Sequence, residues 1–127
     1  MLKTCMLRDM EKHRKGNNIV IDVTRRNNHG LSPSWDTINK FKDIETKSIG
    51  EERAWENFIS KYLEEIDNIK ANREIQKIVN LVNSLDKENR DVYLACFCTT
   101  SKYCHRFILF DKIDKLIVKK QRTLDDY

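Results

Sequence analysis

The chain has 127 residues, 39% hydrophobic and 35% charged, which is the length of one domain with enough apolar content for a core beneath a heavily charged surface. Its net charge of +4, from 24 basic and 20 acidic side chains, is too weak a bias for a dedicated DNA-binding protein. No apolar run approaches the roughly 20 residues that span a bilayer. The start MLKTCMLRDMEKHRKG also lacks the apolar stretch of a signal peptide, so a cytoplasmic protein with no membrane partner is expected.

In that compartment four cysteines are thiols or metal ligands rather than disulfides. One proline and three glycines leave few sharp turns, and there is no internal repeat or low-complexity segment. Residues 1–18 are basic and weakly patterned. Met1, Leu2, Met6 and Leu7 suggest an amphipathic turn packed on the domain, with Cys5 and His13 incidental. Gly16-Asn17-Asn18 is a turn signal.

The run from Ile19 to Thr24, IVIDVT, predicts a strand covered on both faces, as in a parallel sheet. An aspartate in such a run must reach the sheet end or be paired, because a lone buried carboxylate is costly. Asp22 therefore either caps a loop through backbone N–H groups or binds a ligand. Arg25 and Arg26 open the polar loop RRNNHGL directly after this strand, where open α/β sheets bind ligands. Arginine offers a planar fork of donors to phosphate or carboxylate.

Ser32-Pro33-Ser34-Trp35 reads as a helix start, with serine as cap and proline at the first position. Trp35, Ile38 and Phe41 follow at helical spacing, which makes Trp35 core or the wall of a pocket. Residues 42–50 read as a charged connection. A long helix is predicted from Glu51 to Ile69, with a stripe that includes Trp55, Phe58, Tyr62, Ile66 and Ile69, and another from Arg73 to Leu85. Val92 to Phe97 is a short apolar run suited to a buried strand. The hydroxyl-rich turn TTSKY leads from it to a helix that starts near Cys104 and runs to about Asp114. Leu116–Val118 either extends that helix or makes a short last strand, and the tail from 119 is expected to fray.

Two apolar strands separated by helices predict a single α/β domain over 1–127 with a mainly parallel sheet, the N-terminal segment and the tail being peripheral. Two strands make a meagre sheet, so a third is expected in the N-terminal segment, in residues 42–49 or near Leu116. Parallel neighbours bring their carboxyl ends to one edge. That edge collects Asp22, Thr24 and Arg25 from one strand, and Cys96, Cys98, Cys104, His105 and Arg106 from the other.

The cysteines admit three readings. Cys-x-Cys-x5-Cys-His supplies soft ligands for zinc, although the spacing is not a common zinc pattern. A cysteine at a helix N-terminus beside His105 and Arg106 is a stabilised thiolate, able to act as a nucleophile or as one of a redox pair. Alternatively the cysteines fill a tight junction as small apolar residues, while Arg106, Lys102 and the loop hydroxyls bind an anion, or Arg106 merely pairs with Asp22.

At these residues the chain resembles the family called domain of unknown function 488. Its hallmark is an apolar strand, a Cys-x-Cys, a short loop and Cys-His-Arg opening a helix, here LACFCTTSKYCHRFIL. One branch also has a strand ending in Asp-Val-Thr, a Ser/Ala-Pro-x-Trp helix start and a Trp-Glu-x-Phe/Tyr-x3-Tyr-Leu helix. These are matched by Asp22-Val23-Thr24, Ser32-Pro33-Ser34-Trp35, and Trp55 to Phe58 with Tyr62-Leu63. After Asp-Val-Thr that branch usually carries a lysine-rich loop, where this chain has Arg25-Arg26-Asn27-Asn28-His29-Gly30. The resemblance implies a small Rossmann-like three-layer fold and brings no particular activity or cofactor.

The expectation is a pocket for an anionic nucleotide or nucleic-acid component at the strand edge. Cys104 and Asp22 are the candidate reactive groups, and Thr24, Arg25, Cys96, Cys98, His105 and Arg106 the ligand-binding ones. The alternative is a non-catalytic, cysteine-based metal-binding or redox-sensing module.

Overall fold

Strand pairing fixes where the edge lies. The computed structural model describes residues 1–24, 30–96 and 103–125. Three parallel strands form the sheet: β1 (Leu2–Met6) and β2 (Ile19–Asp22) each pair with the central β3 (Val92–Cys96). The third strand is thus the N-terminal segment, and Leu2 and Met6 do not lie on an amphipathic turn. Leu2 stands opposite Val92, and Met6 opposite Cys96. An edge strand buries only part of its side chains, here Leu2 and Cys5, so its pattern is weak.

Every residue of β3 is buried, as a central parallel strand requires. Its side chains alternate between two cores. Val92, Leu94 and Cys96 join Leu2 and Val23 in the larger core, against α4 (Glu51–Glu65), α5 (Ile69–Asp86) and α6 (His105–Asp125). Tyr93 and Ala95 join Cys5 in a smaller core against Met10 of α1 (Met10–Lys15). The result is the expected α/β arrangement of a parallel sheet between helices. His13 of α1 stacks on Tyr93 at 3.9 Å between ring centroids, so this histidine packs on the sheet and is not incidental.

The helix starts and stops differ from the sequence expectation for local reasons. Ser34, not Ser32, caps α2 (Trp35–Asn39), its Oγ accepting from the Thr37 N–H at 3.2 Å. Trp35 is 60% exposed rather than core. Trp55 of α4 takes the packing role instead, stacked on Phe58 at 4.9 Å. The charged connection is helical: a π-helical turn (Lys40–Glu45) runs into α3 (Thr46–Ile49). Gly50 then separates α3 from α4 with φ at 88°, a conformation that favours glycine.

α4 stops at Glu65 because Asn68 starts a new helix, its side chain accepting from the Ala71 N–H at 2.9 Å. Ile69 therefore leaves the α4 stripe and is 73% exposed. α6 continues to Asp125, so Leu116–Val118 is helix rather than strand, and the stretch expected to fray is helical to that point. Among the described residues no helix is long and apolar enough to cross a membrane.

The start of β1 is held by charge. The Met1 amine bonds Asp86 and lies 3.3 Å from Asp91, and Lys3 Nζ lies 2.9 Å from Asp91. The hydrogen bond from Lys3 holds the Asp91 carboxyl below its ordinary range, with the N-terminus helping and burial opposing. A depressed carboxyl stabilises the fold above its unfolded pKa, and that contribution fades as pH falls through the folded value. Lys3 is shifted upward by the same partner, so its share is lost only as pH rises through the raised lysine value. Asp91→Asn is therefore expected to lose less melting temperature than the parent protein on acidification, in a pH series of thermal melts at low salt.

Candidate functional site

β2 ends at Asp22 and β3 at Cys96, so both deliver their carboxyl ends to one edge. The chain returns to that edge through Tyr103, whose ring packs on Trp55 at 5.3 Å and Phe41 at 5.7 Å. This aromatic anchor sets the position of Cys104 and of the first turn of α6, which begins at His105. Cys96, Cys104, His105 and Arg106 are all buried.

Three of these side chains converge. The potential ligand atoms of Cys96, Cys104 and His105 lie within 4.8 Å of one another. His105 Nε2 is 2.8 Å from the Val23 carbonyl oxygen, and Nδ1 is 3.8 Å from Cys96 Sγ. A carbonyl can only accept, so Nε2 carries a hydrogen, which in the neutral tautomer leaves Nδ1 as the acceptor facing the Cys96 thiol. Val23 is itself fixed, donating its N–H to the Ala95 carbonyl at 2.9 Å. Arg106 Nη1 donates to Cys104 Sγ at 3.7 Å, and the guanidinium also lies 4.6 Å from the Phe107 ring centroid. The guanidinium and the N–H groups of the first turn of α6 both favour negative charge on Cys104 Sγ.

Asp22 and Thr24 occupy the same edge in a different arrangement. Asp22 Oδ1 accepts from the Thr24 N–H at 2.9 Å and from Thr24 Oγ1 at 2.5 Å, the capping role considered for it from sequence. In register Asp22 stands opposite Ala95, one residue out of step with Cys96, so it faces the side of the sheet that carries Cys5. Burial pushes the Cys5 thiol upward, Asp9 adds to this, and Arg106 acts the other way. A buried thiol shifted upward is unreactive. Alkylation under native conditions should therefore leave Cys5 unmodified until the protein unfolds, as read by peptide mass mapping. Arg25, Cys98 and Lys102 lie outside the described residues.

The sequence places Tyr62 on a core stripe and in the family's helix motif, without a role at the site, yet it supports the site. Its hydroxyl donates to the Leu31 carbonyl, and its ring meets His105 edge-on at 5.6 Å and 82°. Burial pushes the phenol upward, and the neighbouring Cys104, Cys96 and Glu65 further oppose its ionisation, so the hydroxyl stays a donor. The available signal was a fully buried position on a stripe given to a residue whose polar tip needs a partner. The Val23 carbonyl had no signal, because a backbone group has no letter of its own. Two grooves lie elsewhere, one of 340 Å³ beside Lys40 and Lys61 and one of 520 Å³ between α4 and α6. Neither is lined by Cys96, Cys104 or His105.

Fold and site together define a small α/β protein with a buried Cys–Cys–His group at the carboxyl edge of a parallel sheet. The family model described as the active DUF488-N3 subclade matches residues 5–116, and the chain belongs to this family. No curated protein and no solved structure matches the chain.

Proposed function

We propose that this edge binds an anionic nucleotide or nucleic-acid component and that Cys104 is the thiol that acts on it. The supporting observation is Cys104 Sγ at the head of α6 with Arg106 Nη1 3.7 Å away, since a guanidinium and a helix N-terminus together favour a thiolate. In this reading Arg106 and Arg25 hold phosphate, Thr24, Cys96, Cys98 and His105 line the pocket, and Asp22 is the second candidate reactive group.

Arg106→Ala is expected to abolish binding across a panel of nucleoside phosphates and short oligonucleotides, titrated calorimetrically, with the circular dichroism spectrum and melting temperature retained. Arg106→Lys, which keeps the charge and loses the fork, should weaken binding by about tenfold to a hundredfold. A folded Arg106→Ala protein that binds as well as the parent would refute the proposal, and loss of fold in both variants would make Arg106 structural.

The convergence of three ligand atoms within 4.8 Å favours a second reading, a non-catalytic metal-binding or redox-sensing module. It predicts one zinc per chain and blocked thiols in protein purified without chelator.

A further inference from the structure

The two thiols of the cluster stand in different proton environments. Cys104 has a guanidinium hydrogen directed at its sulfur from 3.7 Å and sits where α6 begins, and both features favour a thiolate there. Cys96 faces His105 Nδ1 at 3.8 Å. The Val23 carbonyl, 2.8 Å from Nε2, takes the Nε2 hydrogen, so that in the neutral tautomer Nδ1 is the acceptor. This is the arrangement of a thiol, a base and a group that orients the base. A site that uses Cys104 alone has no need of a second sulfur beside an oriented base. A divalent cation on Cys104 Sγ would also sit against the Arg106 guanidinium in a buried site, where like charges repel strongly.

We infer that Cys96 and Cys104 form a dithiol relay that exchanges with low-molecular-weight disulfides, with Cys104 attacking, Cys96 resolving and His105 Nδ1 taking the Cys96 proton. The inference rests on the reading of Cys104 as a reactive thiol and adds a second activity and a control to that site. In the first step Cys104 thiolate attacks one sulfur of the disulfide RSSR. A Cys104–S–S–R bond forms and RS⁻ leaves. In the second, Cys96 gives its proton to His105 Nδ1 and its sulfur attacks Cys104 Sγ. The Cys96–Cys104 disulfide forms, a second RS⁻ leaves, and His105 passes the proton to it as RSH. Two electrons move from the protein to the substrate, and Cys104 is withdrawn from any other chemistry until the pair is reduced.

Glutathione disulfide is the probe, added to reduced full-length protein that has first been analysed for metal. Trypsin cuts after Arg90, Lys102 and Arg106, so Cys96 and Cys98 share one peptide and Cys104 lies on the next. The comparison is therefore made in a Cys98→Ser background, where a cross-link between the two peptides identifies the Cys96–Cys104 pair.

The expected product is that cross-link with no glutathione attached. Adding Cys96→Ser should trap glutathione on the Cys104 peptide. With Cys96 kept, adding instead His105→Gln, which can still donate to the Val23 carbonyl but has no basic nitrogen, should slow conversion of the transient glutathione adduct on Cys104 to the cross-link by about a hundredfold with unchanged circular dichroism. A glutathione adduct that persists on Cys104 in the Cys98→Ser protein would overturn the relay and leave Cys104 as a reactive thiol. No adduct on Cys104 in any variant, or zinc bound to the native protein, would overturn the relay and the reading of Cys104 beneath it.

Discussion

Tyr62→Ala is expected to lower the unfolding free energy by about 3–5 kcal/mol, the range for removing a large aromatic side chain from a packed core. Tyr62 is wholly buried, packs on Phe58 and His105, and its hydroxyl serves the carbonyl of Leu31, which is itself buried. Alanine leaves a cavity against the His105 ring and an unpaired carbonyl, and the surrounding helices and sheet can close over it only in part. Tyr62→Phe separates the two effects. It keeps the ring and removes the donor, so the expected cost is about 1–3 kcal/mol, that of stranding a buried acceptor. Urea unfolding followed by tryptophan fluorescence measures both. Equal stability of Tyr62→Phe and the parent would mean that the Leu31 carbonyl is satisfied in another way.

Leu94→Ala carries the second large expected effect, about 2–5 kcal/mol. Leu94 is the middle residue of the central strand, is fully buried, and belongs to the larger core between the sheet and α4, α5 and α6. Small domains have only about 5–15 kcal/mol of net stability, so this one truncation removes a large share of it. Ile69→Ala is the contrasting substitution. On a continuous α4 stripe Ile69 would be core and the two costs would be similar. Ile69 is instead 73% exposed at the start of α5, and a change within about 0.5 kcal/mol is expected. Denaturant midpoints of the two variants test the break between α4 and α5 as directly as they test the core.

The missed helix starts show how far local pattern carries. The break at Asn68 is a side-chain cap written in the sequence, but Ile66 and Ile69 keep the hydrophobic spacing across it and conceal it. Trp35 and Trp55 are both tryptophans at helical spacing, and pattern alone does not say which one meets Phe58 and Tyr103. Contacts between elements decide that, and they select Trp55.

What the sequence by itself determined is whatever depends on near neighbours along the chain. β3 is legible because a parallel strand buried on both faces is a continuous apolar run, and β2, although a half-buried edge strand and not covered on both faces, because its own run is apolar and β-branched. The stripes of α4 and α5 are legible because helical period is local. The matching motif blocks pointed to the family, and Cys104, His105 and Arg106 are adjacent, so their crowding at one helix start was visible at once. The tertiary structure decided the rest. β1 became a strand only through pairing with β3, since an edge strand with few buried side chains has little pattern of its own. Asp22 turned to its own Thr24 because the register placed it opposite Ala95, one step from Cys96. The orientation of His105 rests on a backbone carbonyl 82 positions away, and which ring nitrogen faces Cys96 follows from that contact. Such distances between remote residues are set by how the layers pack, and no local pattern encodes them.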